Sequence, residues 1–260
     1  MSHKVHDLYE KRFDSDIIPD GPSKRIMIAT IPRSGSTFLC LEMWRTGVLG
    51  RPMEYLNLLN REKDMIPRLG HGDIATYWRQ VQQCRKSDNG VFSFKTFPQD
   101  FQQIINKSPD VLGLIGADFV IYLTRRDKIA QAVSYWRADR TGSWFAGLRD
   151  ANKAEYSFNG ISTALMWINN LEKRWLSIFQ NLSVDALPLF YEDLADDVNS
   201  NLQIIANYCE INYQLSYIEN LPRMEIQRDA KSHEWISAYK DDMQLYERIK
   251  TSGALGATHY

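Results

Sequence analysis

The sequence predicts an α/β domain: a P-loop-like, three-layer fold with a central parallel sheet and helices on both faces. Three observations carry the fold class. Short apolar, β-branched runs alternate with longer stretches of helical spacing. The runs are nearly continuous, as strands buried on both faces are. The first of them, Ile26-Met27-Ile28-Ala29-Thr30-Ile31, stops at Pro32 and opens into a small-residue turn, Arg33-Ser34-Gly35-Ser36-Thr37. At 260 residues a single domain over 1–260 accounts for the chain. Residues 1–22 are expected as a loose N-terminal extension and 251–260 as a loose tail.

The elements follow in order. Ser36 to Thr46 has helical spacing and ends at Gly47. Gly50-Arg51-Pro52 forces a turn that releases Met53-Glu54-Tyr55-Leu56-Asn57. Residues 60–74 are charged, broken by Pro67, Gly70 and Gly72, and read as a loop. A helix is expected over Ala75 to Lys86, a strand over Val91 to Lys95 and a short helix over Gln99 to Asn106. Asp118 to Leu123 is a buried strand ending in Thr124-Arg125-Arg126-Asp127, with a helix from Lys128 to Arg140 behind it. Thr141 to Lys153 is irregular. Ala154 to Gln180 is a long helix with Ile161, Leu165, Ile168 and Trp175 on one stripe. Val184 to Tyr191 is a strand, Leu194 to Cys209 a helix and Lys231 to Lys250 the final helix.

Composition excludes several classes. With 31 basic and 32 acidic side chains the net charge is -1, so the basic field of a nucleic-acid binder is missing. Three separated cysteines, Cys40, Cys84 and Cys209, give neither a zinc pattern nor a disulfide framework. Reduced thiols, the polar N-terminus and the lack of a long apolar run predict a cytoplasmic protein without stable membrane insertion.

The turn after the first strand is an anion site by composition. Gly35 lets backbone N–H groups approach an anion at a helix start, and Ser36 and Thr37 add hydroxyls. No Walker lysine sits in the turn; the charge comes from Arg33. A second anion site is expected at Arg125 and Arg126, on the carboxyl edge where ligands of open parallel sheets collect, with Ser134 two turns into the following helix. Lys95 ends another strand and is balanced between contacting a ligand and solvating a strand end. Glu54 taken alone would be a solvent-facing carboxylate; its place after the anion loop makes it a candidate base. One of the two arginines is expected to be structural.

Four motifs in order carry a resemblance: Pro32-Arg33-Ser34-Gly35-Ser36-Thr37, then Thr46-Gly47-Val48-Leu49-Gly50-Arg51-Pro52-Met53-Glu54-Tyr55, then Gln131-Ala132-Val133-Ser134-Tyr135-Trp136-Arg137-Ala138, then Ser232-His233-Glu234-Trp235. Together they resemble the bacterial trehalose sulfotransferase family, whose donor is 3′-phosphoadenosine-5′-phosphosulfate (PAPS). The resemblance implies that Arg33, Ser34, Gly35, Ser36 and Thr37 cradle the 5′-phosphosulfate. It implies that Ser134 and Arg125 or Arg126 hold the 3′-phosphate; which arginine does so stays open. Glu54 falls on the general base. Arg51, Pro52, Met53, Tyr55, Leu56 and Asn57 fall on the acceptor loop, with Arg51 in place of an acidic residue and Tyr55-Leu56 in place of two phenylalanines. A fold of sulfotransferase type, a carbohydrate or glycolipid acceptor, no metal and a homodimer are implied as well, and Gln227 to Lys231 loosely resembles a loop that reaches the nucleotide in that family.

The expected activity is transfer of a sulfuryl group to a carbohydrate hydroxyl. The acceptor must lose a proton, which Glu54 would take. Charge on the leaving oxygen must be stabilised, which Arg33 and the loop would do. Two other readings are a P-loop-like nucleotide kinase, disfavoured by the missing lysine, and a non-catalytic nucleotide- or glycan-binding module.

Overall fold

The computed structural model describes residues 4–16, 20–107, 115–144, 154–213, 221–222, 224 and 230–251. The chain divides into two compact units, Met1–Arg126 with Leu171–Met224, and Asp127–Asn170 with Glu225–Tyr260.

The first unit is built on a four-stranded parallel sheet in the order β2-β1-β3-β4. The strands are β1 (Lys24–Thr30), β2 (Val91–Thr96), β3 (Phe119–Thr124) and β4 (Leu187–Phe190). Every pairing is parallel; Ile28 lies opposite Lys95 on one side and Ile121 on the other. Ile26, Ile28, Ile121 and Leu123 form a core with Leu39, Cys40 and Met43 of helix α1 (Ser36–Arg45) and with Leu202, Ile205 and Ala206. Each such side chain, fully buried, contributes roughly 1.5–3 kcal/mol when large. Trp175 ties a helix to the sheet by donating from Nε1 to the Thr30 carbonyl at 2.7 Å.

The expected strands all form, and the predicted alternation of strand and helix is the observed parallel α/β arrangement. Helix α3 (Ile74–Cys84) and helix α4 (Pro98–Lys107) stand where expected. Residues 60–74, expected as a loop, are partly helical. A single turn, α2 (Leu58–Arg61), is followed by a π-helical turn over Ile66–Gly70. The charged surface of that stretch hides an apolar side: Met65, Ile66 and Leu69 are buried, and so is Arg61. The helix expected over Leu194 to Cys209 is two, α7 (Tyr191–Asp196) and α8 (Val198–Tyr208). Asp197 leaves helical backbone (φ -145, ψ 92) and its side chain caps the second helix through Ser200.

The N-terminal segment differs most from expectation. Residues 5–9 and 11–13 form 3-10 turns, and Leu8 is fully buried. Buried Arg85 holds the segment in place, donating to the carbonyls of Leu8 (2.6 Å) and Glu10 (3.0 Å) and to Asp14 (2.8 Å). A buried guanidinium must find acceptors, and the chain around Leu8 supplies them. Residues 4–16 are therefore packed, where the polar sequence suggested a loose extension.

The second unit contains α5 (Lys128–Thr141), the first half of α6 (Phe158–Leu182) and α9 (Ala230–Thr251). Asp127 caps α5 by accepting from the Ala130 N–H at 2.8 Å. Helix α6 starts at Phe158 rather than Ala154. Phe158 stacks on Tyr239 at 5.2 Å, and the hydroxyls of Ser162 and Tyr239 are 2.9 Å apart. Trp235 is buried and Trp144 exposed. The irregular stretch past Trp144, most of the segment 227–231 and the tail beyond Thr251 lie outside the described residues.

Candidate active site

Because β1 and β3 are parallel neighbours, the loops that follow them leave by the same edge of the sheet. The loop after β1 carries two left-handed residues, Arg33 (φ 64) and Gly35 (φ 77). Left-handed backbone is costly for arginine and natural for glycine. Gly35 is also required sterically, since a Cβ would run into the ring of Tyr191. It stands at the start of α1 without a side-chain cap, which leaves the first-turn N–H groups to an anion. Ser34 is sealed in; its hydroxyl lies 2.6 Å from that of Thr30, which donates to the Leu123 carbonyl at 2.9 Å. Ser34 thus ties the loop to β3. Ser36 is buried and Thr37 half-buried in the first turn of α1.

The loop carrying Glu54 runs along β2. Ser93 donates to the Leu49 carbonyl at 2.8 Å and the Lys95 N–H to the Met53 carbonyl at 3.0 Å. Gly50 (φ 81) lets the chain come this close, as a Cβ there would strike Ser93. The result is a bridge across two elements: Lys95 Nζ is 2.8 Å from the Glu54 carboxylate and 3.1 Å from Thr37 Oγ1. Asn57 Nδ2 reaches the other Glu54 oxygen at 3.5 Å. Burial pushes the Glu54 carboxyl up, but the Lys95 ammonium, Asn57 and Arg61 outweigh it and hold the group below the usual carboxylate range. Burial pulls the Lys95 ammonium down; the Glu54 charge reverses this and leaves it raised.

The rest of the expected acceptor loop is largely internal. Pro52, Met53, Tyr55 and Leu56 are buried. Tyr55 donates to the Arg51 carbonyl at 2.6 Å, and Arg51 Nη1 donates to Ser15 Oγ at 2.7 Å and to the Phe13 carbonyl at 3.3 Å. Glu54 and Asn57 keep partial exposure. A cavity of about 420 Å³ opens on the next face of α2, lined by Leu58, Glu62, Ile66, Pro67, His71, Gly72 and Ile74.

At the second corner the two arginines separate. Arg126 forks onto Asp193 at 2.5 and 2.6 Å and is half-exposed. Arg125 lies 3.7 Å from Glu192 and 5.0 Å from the centre of the Tyr191 ring, the ring that also packs on Gly35. Arg125 is thereby the arginine that shares a neighbour with the first loop. Ser134 is half-buried on α5, in the second unit.

A family model for Stf0 sulphotransferases matches residues 25–242, a span that contains both corners and Glu54. The chain belongs to the Stf0 sulphotransferase family. This sulfotransferase is 26% identical over 264 residues to the trehalose 2-sulfotransferase of Mycolicibacterium smegmatis, covering 86% of this chain and 97% of that one. It is 26% identical over 253 residues to the trehalose 2-sulfotransferase of Mycobacterium tuberculosis, covering 82% and 93%. Among solved structures, it resembles the sulfotransferase domain of the Synechococcus PCC 7002 olefin synthase (17% identity, TM-score 0.44, 75% of this chain and 76% of that one). It also resembles the sulfotransferase domain of the curacin biosynthetic pathway (13% identity, TM-score 0.46, 84% and 98%). Both overlaps are loose.

Several residues around the Glu54–Lys95 pair escape sequence reading. Tyr9 accepts a hydrogen bond from the Glu54 N–H at 3.1 Å. Asp100, in the first turn of α4, has its carboxyl pushed up to about 7 by burial and then by the Glu54 charge, with Lys95 pulling the other way. Burial raises the Cys40 thiol to about 12 beside the same pair, which keeps it neutral. Tyr191 and Glu192 had a legible signal, because they follow the last strand at the ligand edge. Among the described residues no group of three or more His, Cys, Asp or Glu is placed to hold a metal ion, and no helix is long and apolar enough to cross a membrane.

Proposed function

We propose that this sulfotransferase moves a sulfuryl group from PAPS to a hydroxyl of a carbohydrate acceptor, free or lipid-linked, with Glu54 as general base. The observation that carries the reading is the Glu54–Lys95–Thr37 bridge, which joins a largely buried carboxylate with partial exposure to the first turn of α1, behind the anion loop. The trehalose acceptor in the names of two relatives supports a sugar as the acceptor class. The residues on the donor side have suitable chemistry. Arg33 and the N–H groups at the start of α1 suit the phosphosulfate, and Arg125 suits a second phosphate further along the same edge.

In this reading Glu54 accepts the proton of the acceptor hydroxyl as its oxygen bonds to sulfur. The bond from sulfur to the bridging oxygen of the 5′-phosphate breaks, and that oxygen keeps the electron pair. Arg33, Lys95 and the loop N–H groups stabilise the departing charge. Lys95 has a second effect. While it is paired to Glu54 it holds the carboxylate ionised but weakly basic. An anion arriving at Thr37 competes for the same ammonium and returns basicity to Glu54.

The test is transfer of labelled sulfate from PAPS to a panel of sugars by the parent and by Glu54→Gln. The variant is expected to keep its thermal stabilisation by 3′-phosphoadenosine-5′-phosphate and to lose about 10²–10⁴ in turnover. Undiminished turnover removes Glu54 from the role.

A further inference from the structure

We propose that Tyr9 is a positioning residue for the base, and that the packed N-terminal segment is part of the catalytic apparatus. The inference rests on reading Glu54 as the base. Residues 51–54 belong to no helix or strand; within the segment the Glu54 carbonyl accepts from the Asn57 N–H at 3.3 Å, a single turn. The Glu54 N–H is held from outside it, donating to Tyr9 Oη at 3.1 Å.

Tyr9 is immobilised from several sides. The Arg61 guanidinium lies 3.4 Å from the centre of its ring, and the Tyr55 ring meets it edge-on at 6.4 Å. Arg68 donates to the Tyr9 carbonyl at 3.2 Å. Arg85 holds the carbonyls on either side of it, at Leu8 and Glu10. Asp14 balances both cations, 2.6 Å from Arg85 and 3.0 Å from Arg68. The segment from Leu8 to Asp14 is thus a strap, clamped by two arginines that the end of α3 and the π-helical turn supply, and it presents one hydroxyl to the catalytic loop.

Arg61 links the strap to the reaction a second way. It lies over Tyr9 and also helps hold the Glu54 carboxyl below its usual range. Buried cation–ring contacts of this kind are strong enough to fix a ring. A base must stand within hydrogen-bond reach of the proton it takes, and small displacements cost rate rather than donor affinity.

The test compares Tyr9→Phe, Tyr9→Leu and Glu54→Gln in the full chain, with PAPS as donor and a sugar that the parent sulfates. Tyr9→Phe keeps the ring and deletes the acceptor of the Glu54 N–H. It is expected to lower kcat roughly tenfold, with KM for PAPS and the thermal shift produced by 3′-phosphoadenosine-5′-phosphate each within about twofold of the parent. Tyr9→Leu is expected to lower kcat further; if it does not fold, Tyr9→Phe decides. A kcat for Tyr9→Phe within twofold of the parent, beside an inactive Glu54→Gln, overturns the role of Tyr9 alone. Parallel loss of kcat and nucleotide binding in Tyr9→Phe also overturns it, since that is a packing defect. Full turnover by Glu54→Gln overturns the base reading and the role of Tyr9 with it.

Discussion

Lys95 faces two carboxyl groups of opposite behaviour. Glu54 is held below the carboxylate range and Asp100 is raised to about 7. The signs for stability follow. A lowered Glu54 contributes stability above the ordinary carboxylate range that is lost as pH falls through its folded value. A raised Asp100 contributes stability that is full below the ordinary range and lost as pH rises toward 7. Asp100→Asn should therefore be neutral near pH 4 and raise Tm near pH 8, a gap that calorimetric scans across pH would read; an equal gap at both ends would contradict the assignment. At the second corner, Arg126 is already forked onto Asp193. Arg125→Ala is expected to weaken binding of 3′-phosphoadenosine-5′-phosphate at least about tenfold, a charge-assisted contact being worth roughly 1.5–3 kcal/mol, while Arg126→Ala changes it little. Arg33, Gly35 and Glu54 stand out in the sequence because a small-residue turn after an apolar run marks an anion loop and a carboxylate follows it closely; the structure joins Glu54 to that loop's helix through Lys95 and Thr37. Tyr9 and Asp100 do not stand out. Tyr9 reaches the site across 45 positions, and Asp100 gains its character from burial and a neighbour's charge, neither of which leaves a mark in local composition.

At the scale of elements, the site depends on two close approaches. Gly35→Ala puts a Cβ into the Tyr191 ring on left-handed backbone, so it should lower Tm and nucleotide affinity together; a variant that binds normally would argue against a tight loop. The strap depends on a buried cation. Arg85→Met takes the donor from the Leu8 and Glu10 carbonyls and leaves the Asp14 carboxylate with Arg68 alone, and removing one partner of a buried pair costs up to about 3–5 kcal/mol. Limited proteolysis should then cut first within residues 4–16. The strands and the helices α1, α3, α4, α5 and α9 were readable because their apolar spacing is regular. The π-helical turn and the strap were not. Their buried positions, Leu8, Met65, Ile66 and Leu69, are too few and too irregularly spaced to set a period, and the partner that holds the strap in place is an arginine 77 positions from Leu8.

For the molecule as a whole, the order β2-β1-β3-β4 makes the assignment possible. Adjacent parallel strands, about 4.8 Å apart, deliver the Arg33 loop and the Arg125 corner to one edge, and β2 brings Lys95 and Glu54 beside the first. Parallel strands and a shared ligand edge were legible in the alternation of runs; the division into two compact units was not, because no shift in composition marks Arg126 or Asn170. The central claim is that one nucleotide with two charged ends spans both corners of the first unit. Calorimetric titration of 3′-phosphoadenosine-5′-phosphate and adenosine 5′-phosphate into the parent and Arg125→Ala tests this most directly. The account predicts that the parent prefers the bisphosphate by at least about tenfold and that Arg125→Ala erases the preference. Equal affinity of the parent for the two nucleotides, or a preference that survives in Arg125→Ala, would contradict it.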